Sequence, residues 1–378
     1  MILPEINLLL VFSSGVSLKL WKTTGLFDRE IGYYLELRKK INSISFLTYD
    51  EEINDLKTSN REVNSFNLLY NKNRIYYKFF GLLSPLIFRS EIKKIDYVKT
   101  NQISGSWIGV IIKLLYKKRL IIRAGYIPTK NLLSPYNNQK KFGRFLISWA
   151  VELLSFSFAD LIFVSSISDK EFLVKKYPFI NKTIHVINTP IDTKKFINKE
   201  TEKLDNKILF IGRLSKEKNI DHIIAACSKI YNCELIIIGD GIEKDKLVQM
   251  ANGDNVKFLG IIPNHKLPDI INEAKVLVLA SSYEGTPKVV LEAMSCGIPV
   301  IASKIPSVEE IIIHNKNGLL YELGNVEALK YAISLILSDD NLRNSLGTEG
   351  RKFVESKYSI ENIAELETDL IIRNFQND

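Results

Sequence analysis

The amino-acid sequence predicts an α/β protein made of two doubly wound domains, and three observations carry that expectation. Short apolar runs alternate with helix-period segments, the pattern of βαβ units around a parallel sheet covered on both faces. A stretch rich in turn formers and charges, with no period, interrupts the pattern at residues 188–206 (NTPIDTKKFINKETEKLDN). The charge balance changes there too. Residues 1–190 hold 28 Lys and Arg against 15 Asp and Glu, and residues 191–378 hold 23 against 28. A length of 378 residues suits two domains. The division expected is residues 1–190, residues 191–357, and a terminal helix over 358–378 that returns towards the first domain.

In the first half, Leu8–Phe12 is a run of large apolar residues and reads as the first strand. The leading MILPEINLLLVFSSG has no basic segment followed by a cleavage site, which favours a strand over a signal peptide. Gly25–Lys40 reads as one helix entered through a glycine-containing loop, and Ile44–Tyr49 as a second strand. Tyr97–Thr100, Leu120–Arg123 and Leu161–Ser165 read as further strands, while residues 51–95 are poorly patterned. The second half is clearer. Lys207–Gly212, Glu234–Gly239, Val256–Gly260, Lys275–Ala280 and Ile298–Ala302 are strand-like. Helical stretches fall at Ile220–Tyr231, Glu243–Ala251, Leu267–Ala274 and Pro287–Cys296, the last capped by Gly297. Ligands of such domains gather at the carboxyl ends of the strands, and two domains meeting there leave a cleft.

Composition excludes several classes. At 46% hydrophobic and 25% charged the chain is not a disordered one. Cys227, Cys233 and Cys296 are too few for a disulfide framework and lack zinc-ligand spacing. Phe145–Ala159, nearly uncharged, is too short to span a bilayer and is broken by Glu152. The expectation is a cytoplasmic protein. Nine basic residues and no acidic one lie between Asn101 and Ala150, which suggests an anionic partner such as a membrane surface. A solvated lysine-rich face is the plain alternative. No nucleic-acid partner is expected, because the cations are not arranged around a known reader motif.

Three stretches could carry chemistry. Tyr283–Ser303 (YEGTPKVVLEAMSCGIPVIAS) puts Glu284 in a strand-to-helix loop and Glu292 inside the following helix. Gly285 would let a ligand approach the backbone. Pro287 suits a first helical turn. Free N–H groups near Thr286 and Lys288 would point at an anion, aided by the helix dipole. Each carboxylate suits sugar hydroxyls, although two glutamates eight positions apart are by themselves as well explained as surface residues. Phe210–Asn219 (FIGRLSKEKN) ends a strand at Gly212 and places Arg213 and Lys218 on the loop entering a helix. Two cations there suit a diphosphate, or simply a solvated loop. It is not a Walker A loop. Ile238–Gly241 (IGDG) is a tight turn whose glycines need serve nothing more.

In this order and spacing, the three stretches resemble the nucleotide-sugar-binding domain of glycosyltransferase family 4, retaining enzymes of the GT-B fold with two facing Rossmann-like domains. The likeness runs from about Lys207 to Gly324, and IPSVEEIIIHNKNGLLYEL continues it. HVINTPID, with Asn188 and Asp192, is similar to the family's interdomain segment, from which Thr189 and Pro190 depart. The resemblance implies that Arg213 and Lys218 hold the donor diphosphate and stabilise its developing charge. It implies that Glu292 binds the ribose and Glu284 the donor sugar near its reacting carbon. Gly212, Gly285, Thr286 and Lys288 would add donor contacts, and Gly25 would belong to the glycine-rich first loop. It implies no cofactor and no metal, and the sequence has no D-x-D triplet.

One feature of many members is missing. Residues 1–184 contain no histidine, the four being His185, His222, His265 and His314. The strand-end segment Leu120–Ile127 instead offers Arg123 and Tyr126, with Asn101 and Gln102 ending a neighbouring strand. Arg123 is equally well a plain surface cation. Front-face retaining transfer needs no protein base, since the departing phosphate accepts the proton. The function expected is transfer of a sugar from a nucleotide-diphosphate sugar to a saccharide acceptor, lipid-linked, in surface polysaccharide synthesis. The alternatives are a nucleotide-sugar epimerase of the same fold and a non-catalytic nucleotide-sugar-binding subunit. The segment Lys72–Phe80, basic and aromatic, suits a membrane interface, a carbohydrate or a half-buried helix.

Overall fold

The computed structural model describes residues 5–133, 142–199, 206–251 and 255–376. The chain divides into two compact units, residues 1–188 with 363–378, and residues 189–362.

The first unit is built on a parallel sheet of β1 (Asn7–Val11), β2 (Ser43–Thr48), β3 (Asn67–Tyr70), β4 (Tyr97–Thr100), β5 (Arg119–Ala124), β6 (Leu161–Val164) and β7 (Ile184–Val186). Their order is β3-β2-β1-β4-β5-β6-β7. β1 pairs on one side with β2 (Leu10↔Phe46) and on the other with β4 (Leu10↔Lys99). That is the switch point of a doubly wound sheet. Strands buried on both faces explain why β1, after Asn7, runs on as leucine and valine alone. β3 and β7, which periodicity does not reveal, are only four and three residues long.

The expected helix over Gly25–Lys40 is Phe27–Arg38, and a further helix, Leu18–Thr23, precedes it where a loop was expected. The first helix starts early because its free N–H groups find acceptors. Ser17 Oγ accepts from Leu20 N, and the buried Asp50 carboxylate accepts from Leu18 N and Lys19 N at 2.8 and 3.0 Å.

The second unit has a six-stranded parallel sheet of β8 (Lys207–Ile211), β9 (Glu234–Ile238), β10 (Val256–Gly260), β11 (Val276–Leu279), β12 (Val300–Ser303) and β13 (Leu319–Tyr321). Their order is β10-β9-β8-β11-β12-β13, so the switch point lies between β8 and β11. Alternation along the strands fills two cores. Leu209, Ile236 and Leu277 join the helix Lys288–Ser295 on one face, and Ile208, Phe210, Leu235 and Val276 join the helix Ile220–Cys227 on the other.

A helix over Asp340–Tyr358 comes into backbone contact at Gly347, where a Cβ would stand 2.1 Å from the Gly297 carbonyl oxygen. The chain then enters the helix Ile360–Gln376, whose residues from 363 onward belong to the first unit. Buried Glu367 anchors it there, accepting from Lys99 Nζ and from Tyr33 Oη, each at 2.5 Å.

Candidate functional site

The carboxyl ends of β8 and β11 carry the loops Gly212–Asn219 and Ala280–Pro287, one on each side of the second sheet's switch point. Backbone geometry sets the first loop. Gly212 N donates to Ile238 O at 2.9 Å, Leu214 N to Asp240 O at 3.0 Å, and Glu243 N to Leu214 O at 3.0 Å. Such close approach needs glycine opposite. Gly239 has φ +140°, and a Cβ there would lie 1.8 Å from the Gly212 carbonyl oxygen; at Gly241 it would lie 2.2 Å from that of Leu214. The IGDG turn therefore shapes the loop that bears Arg213.

The two loops are bonded to each other. Asn219, at φ +44°, donates through Nδ2 to Ala280 O at 2.8 Å, and Ser282 N donates to Glu217 O at 2.8 Å. Lys218 Nζ forms an ion pair with Glu284 Oε1. The same oxygen accepts from Ser281 Oγ at 2.6 Å. Ser281 was not singled out from the sequence; its place two residues past the end of β11 was the available signal. Arg213 is exposed, and its side chain makes no hydrogen bond or ion pair among the described residues.

Beyond Glu284 the chain enters the helix Lys288–Ser295, the first residue of which is Lys288. Gly285 is exposed, and a Cβ there would meet nothing within 4 Å, so packing does not require the glycine. Thr286 Oγ1 is buried with no hydrogen-bond partner among the described residues, an uncompensated cost that an arriving acceptor or donor group would relieve. Glu292 is buried one turn into the helix and takes a hydrogen bond from Asn264 Nδ2 at 3.2 Å. Asn264 was also missed, because it lies in the irregular stretch that follows β10. Burial, with the Glu292 carboxylate nearby, pushes the Cys296 thiol up to about 12.

Arg213, Lys218, Glu284 and Glu292, with Gly212, Gly285, Thr286 and Lys288, thus all belong to one unit, and direct contact joins Lys218 to Glu284. Gly25, Arg123 and Tyr126 belong to the other unit. Gly25, at φ +71°, lies in the turn between two helices; the glycine of the loop that leaves β1 is Gly15. The expected place of Gly25 in that first loop is corrected accordingly. Arg123 is half-buried and donates from Nη1 to Ile187 O at 2.8 Å, so it is not a freely solvated cation. Tyr126 is exposed; its N–H donates to Gln102 Oε1 at 3.2 Å. The first unit also holds a pocket of about 680 Å³ at the ends of β1, β2 and β3, lined by Ser14, Gly15, Tyr49, Asn71, Tyr76 and Tyr77 among others. The weak patterning of residues 51–95 concealed it. Among the described residues, no helix is long and apolar enough to cross a membrane.

Known proteins resemble this chain in sequence and fold. The family described as "Glycosyl transferases group 1" matches residues 192–353, which include both loops. An uncharacterized glycosyltransferase of Methanocaldococcus jannaschii is 35% identical over 167 residues, covering 42% of this chain and 43% of that protein. The capsular polysaccharide biosynthesis glycosyltransferase CapM of Staphylococcus aureus is 28% identical over 171 residues, 43% of this chain and 44% of its own. The chain therefore spans less than half the length of either relative. Anabaena HepE, solved with UDP and glucose, superimposes with a TM-score of 0.75 at 17% identity, over 98% of this chain and all of that one. That likeness shows the GT-B fold. Residues 192–353, which carry both loops, thus match the group 1 glycosyltransferases, and the likeness of fold extends over both sheets.

Proposed function

We propose that the chain is a retaining glycosyltransferase that moves a sugar from a nucleotide-diphosphate sugar to a saccharide acceptor carried on lipid, in the synthesis of a surface polysaccharide. The observation that carries this reading is the meeting of Lys218 and Glu284 across the switch point, on loops of which the first also carries Arg213. A cation pair on a strand-end loop suits a diphosphate, and a carboxylate next to it suits the hydroxyls of the attached sugar. HepE was solved with UDP and glucose, and CapM is named for capsular polysaccharide, which supports donor and pathway by analogy.

In the proposed reaction the acceptor hydroxyl attacks the anomeric carbon from the face the diphosphate leaves. The bond from that carbon to the phosphate oxygen breaks, and its electron pair departs on the diphosphate. The acceptor proton passes to the departing phosphate oxygen. Arg213 and Lys218 stabilise the charge that develops there. Glu284 orients the sugar, and Glu292 takes the ribose hydroxyls. Two cations and the start of the helix Lys288–Ser295 supply the charge that a divalent metal supplies elsewhere, so transfer is expected without one.

The test is a thermal-shift screen against UDP, GDP, ADP and their sugar conjugates in metal-free buffer. A ligand at a hundredfold excess over its dissociation constant adds about 2.7 kcal/mol of stability. One nucleotide should give a shift that Arg213→Ala reduces. Absence of a shift with every donor would remove the donor assignment.

A further inference from the structure

We propose that the layer formed by the helices Tyr77–Ile87, Ser106–Tyr116 and Phe142–Phe158 is a docking face for an anionic lipid bilayer. This deepens the function above and rests on its lipid-borne acceptor, for which it supplies the surface. The three helices lie side by side. Tyr116 Oη donates to Pro85 O at 2.7 Å, and the Ser106 and Ser155 hydroxyls bond at 2.5 Å.

The first helix is turned inside out. Its buried side is Phe80, Gly81, Ser84 and Pro85, where a Cβ on Gly81 would lie 2.8 Å from the Trp107 ring. Its outward side is Phe79, Leu82, Leu83 and Leu86, spaced i, i+3, i+4 and i+7, with Phe79 61% and Leu86 59% exposed. A water-facing helix shows the opposite arrangement. The neighbours extend the apolar surface with Leu114 and Leu115 on the second helix, and with Leu146, Ile147 and Leu154 on the third, Ile147 being 68% exposed. Soluble monomers rarely leave so many large apolar side chains together on one face.

Charge selects the occupant. Lys78, Arg89, Lys93, Lys94 and Lys117 are exposed on or beside the first two helices. Of the acids between Arg74 and Lys118, Glu91 and Asp96, the second is engaged by the Asn7 backbone and side chain. No acid occurs from residue 101 to 150. Apolar side chains among cations match the acyl boundary and headgroups of an anionic leaflet. Tyr76 and Tyr77 line the 680 Å³ pocket at the start of the same first helix, which puts a site for a polar head beside a surface for its lipid.

The experiment is flotation of the full chain with vesicles of phosphatidylcholine, alone or mixed with phosphatidylglycerol, at low and high salt. Binding is expected only with phosphatidylglycerol and should weaken as salt rises. Phe79→Glu combined with Leu86→Glu should lower the partition coefficient at least about tenfold. Tyr331→Glu, on an exposed position of the other unit, should leave it unchanged. The melting shift given by whichever nucleotide sugar the screen selects should survive the double substitution, which separates this face from the donor site. No binding at low salt by chain with a native circular dichroism spectrum would overturn the proposal, as would equal binding to both vesicles. A dimer dissolved by the same double substitution, without vesicle binding, would give the face to a second copy and also overturn it.

Discussion

Lys218 and Glu284, 66 residues apart in the chain, form an ion pair that joins the loops on either side of the second sheet's switch point. Their side chains keep 17% and 13% of their exposure, so solvent screens the pair less than it would a surface bridge. Ser281 Oγ holds the same carboxylate oxygen, and the Ser281 carbonyl in turn accepts from buried Ser303 at 2.5 Å. The two functional groups are thereby held in register before any ligand arrives. On the proposed reading, a diphosphate takes Lys218 from Glu284 and leaves the carboxylate for the sugar.

Lys218→Ala is expected to lower kcat by about 10²–10³, the usual cost of losing one group that stabilises developing charge, and Glu284→Ala, which frees the sugar from its orienting carboxylate, by about 10². Because the partners act as a unit, the double variant should lose far less than the product of the single losses. Steady-state transfer kinetics decide this. Losses that multiply would mean that the two side chains work independently.

Gly239→Ala should destabilise the second unit by more than about 3 kcal/mol, since it combines a strained φ with a Cβ driven into the Gly212 carbonyl. Gly285→Ala should change stability by no more than about 0.5 kcal/mol, because its Cβ meets open space. If Gly285→Ala nevertheless weakens donor binding, a ligand and not the fold requires that glycine. Urea unfolding and calorimetric titration on the same samples separate the two effects.

Glu292→Ala is expected to cost about 1.5–3 kcal/mol of donor affinity, the range for a hydrogen bond to a charged group. The parent chain should discriminate between a nucleotide and its 2′-deoxy form, and the variant should discriminate less. Discrimination that persists undiminished in Glu292→Ala would remove the ribose from this carboxylate.

Alkaline pH should unfold the protein cooperatively. Burial raises the hydroxyls of Tyr33 and Tyr34, Tyr33 also through the Glu367 carboxylate it donates to. Burial and Glu152 raise Tyr177, and burial pushes Tyr358 up to about 12. A pKa higher in the folded than in the unfolded state means that the folded state binds more protons. The resulting stability is complete below about 10 and is lost as pH rises above it. Phenolate absorbance should therefore include a fraction that appears only together with loss of the near-ultraviolet circular dichroism. Full titration while that signal stays intact would refute the burial argument.

Much of the second unit was legible because its elements are long enough to carry a period. KILFI, ELIII and VLVL are buried on both faces and read as unbroken apolar runs, and FIGRLSKEKN and YEGTPKVVLEAM follow the strands whose ends they decorate. The first unit resisted where local signals were weak. β3 and β7 are short edge strands held by one neighbour each, β2 and β6. The first helix of the chain begins at Leu18 because Asp50, 32 residues away, satisfies its free N–H groups, and this displaced Gly25 from the loop after β1 to a turn between helices.

By itself the sequence determined the α/β class, five of the six strands of the second sheet and the residue types of the loops after β8 and β11, since periodicity, turn chemistry and motif spacing are local properties of the chain. Tertiary structure alone decided which of those residues touch. It set Lys218 against Glu284, pressed Gly239 onto the Gly212 carbonyl, and turned Phe79 and Leu86 outward while Gly81 and Ser84 went in. Contacts between residues far apart in the chain depend on strand order and on which helix face finds a partner, and neither is written in any short window of sequence.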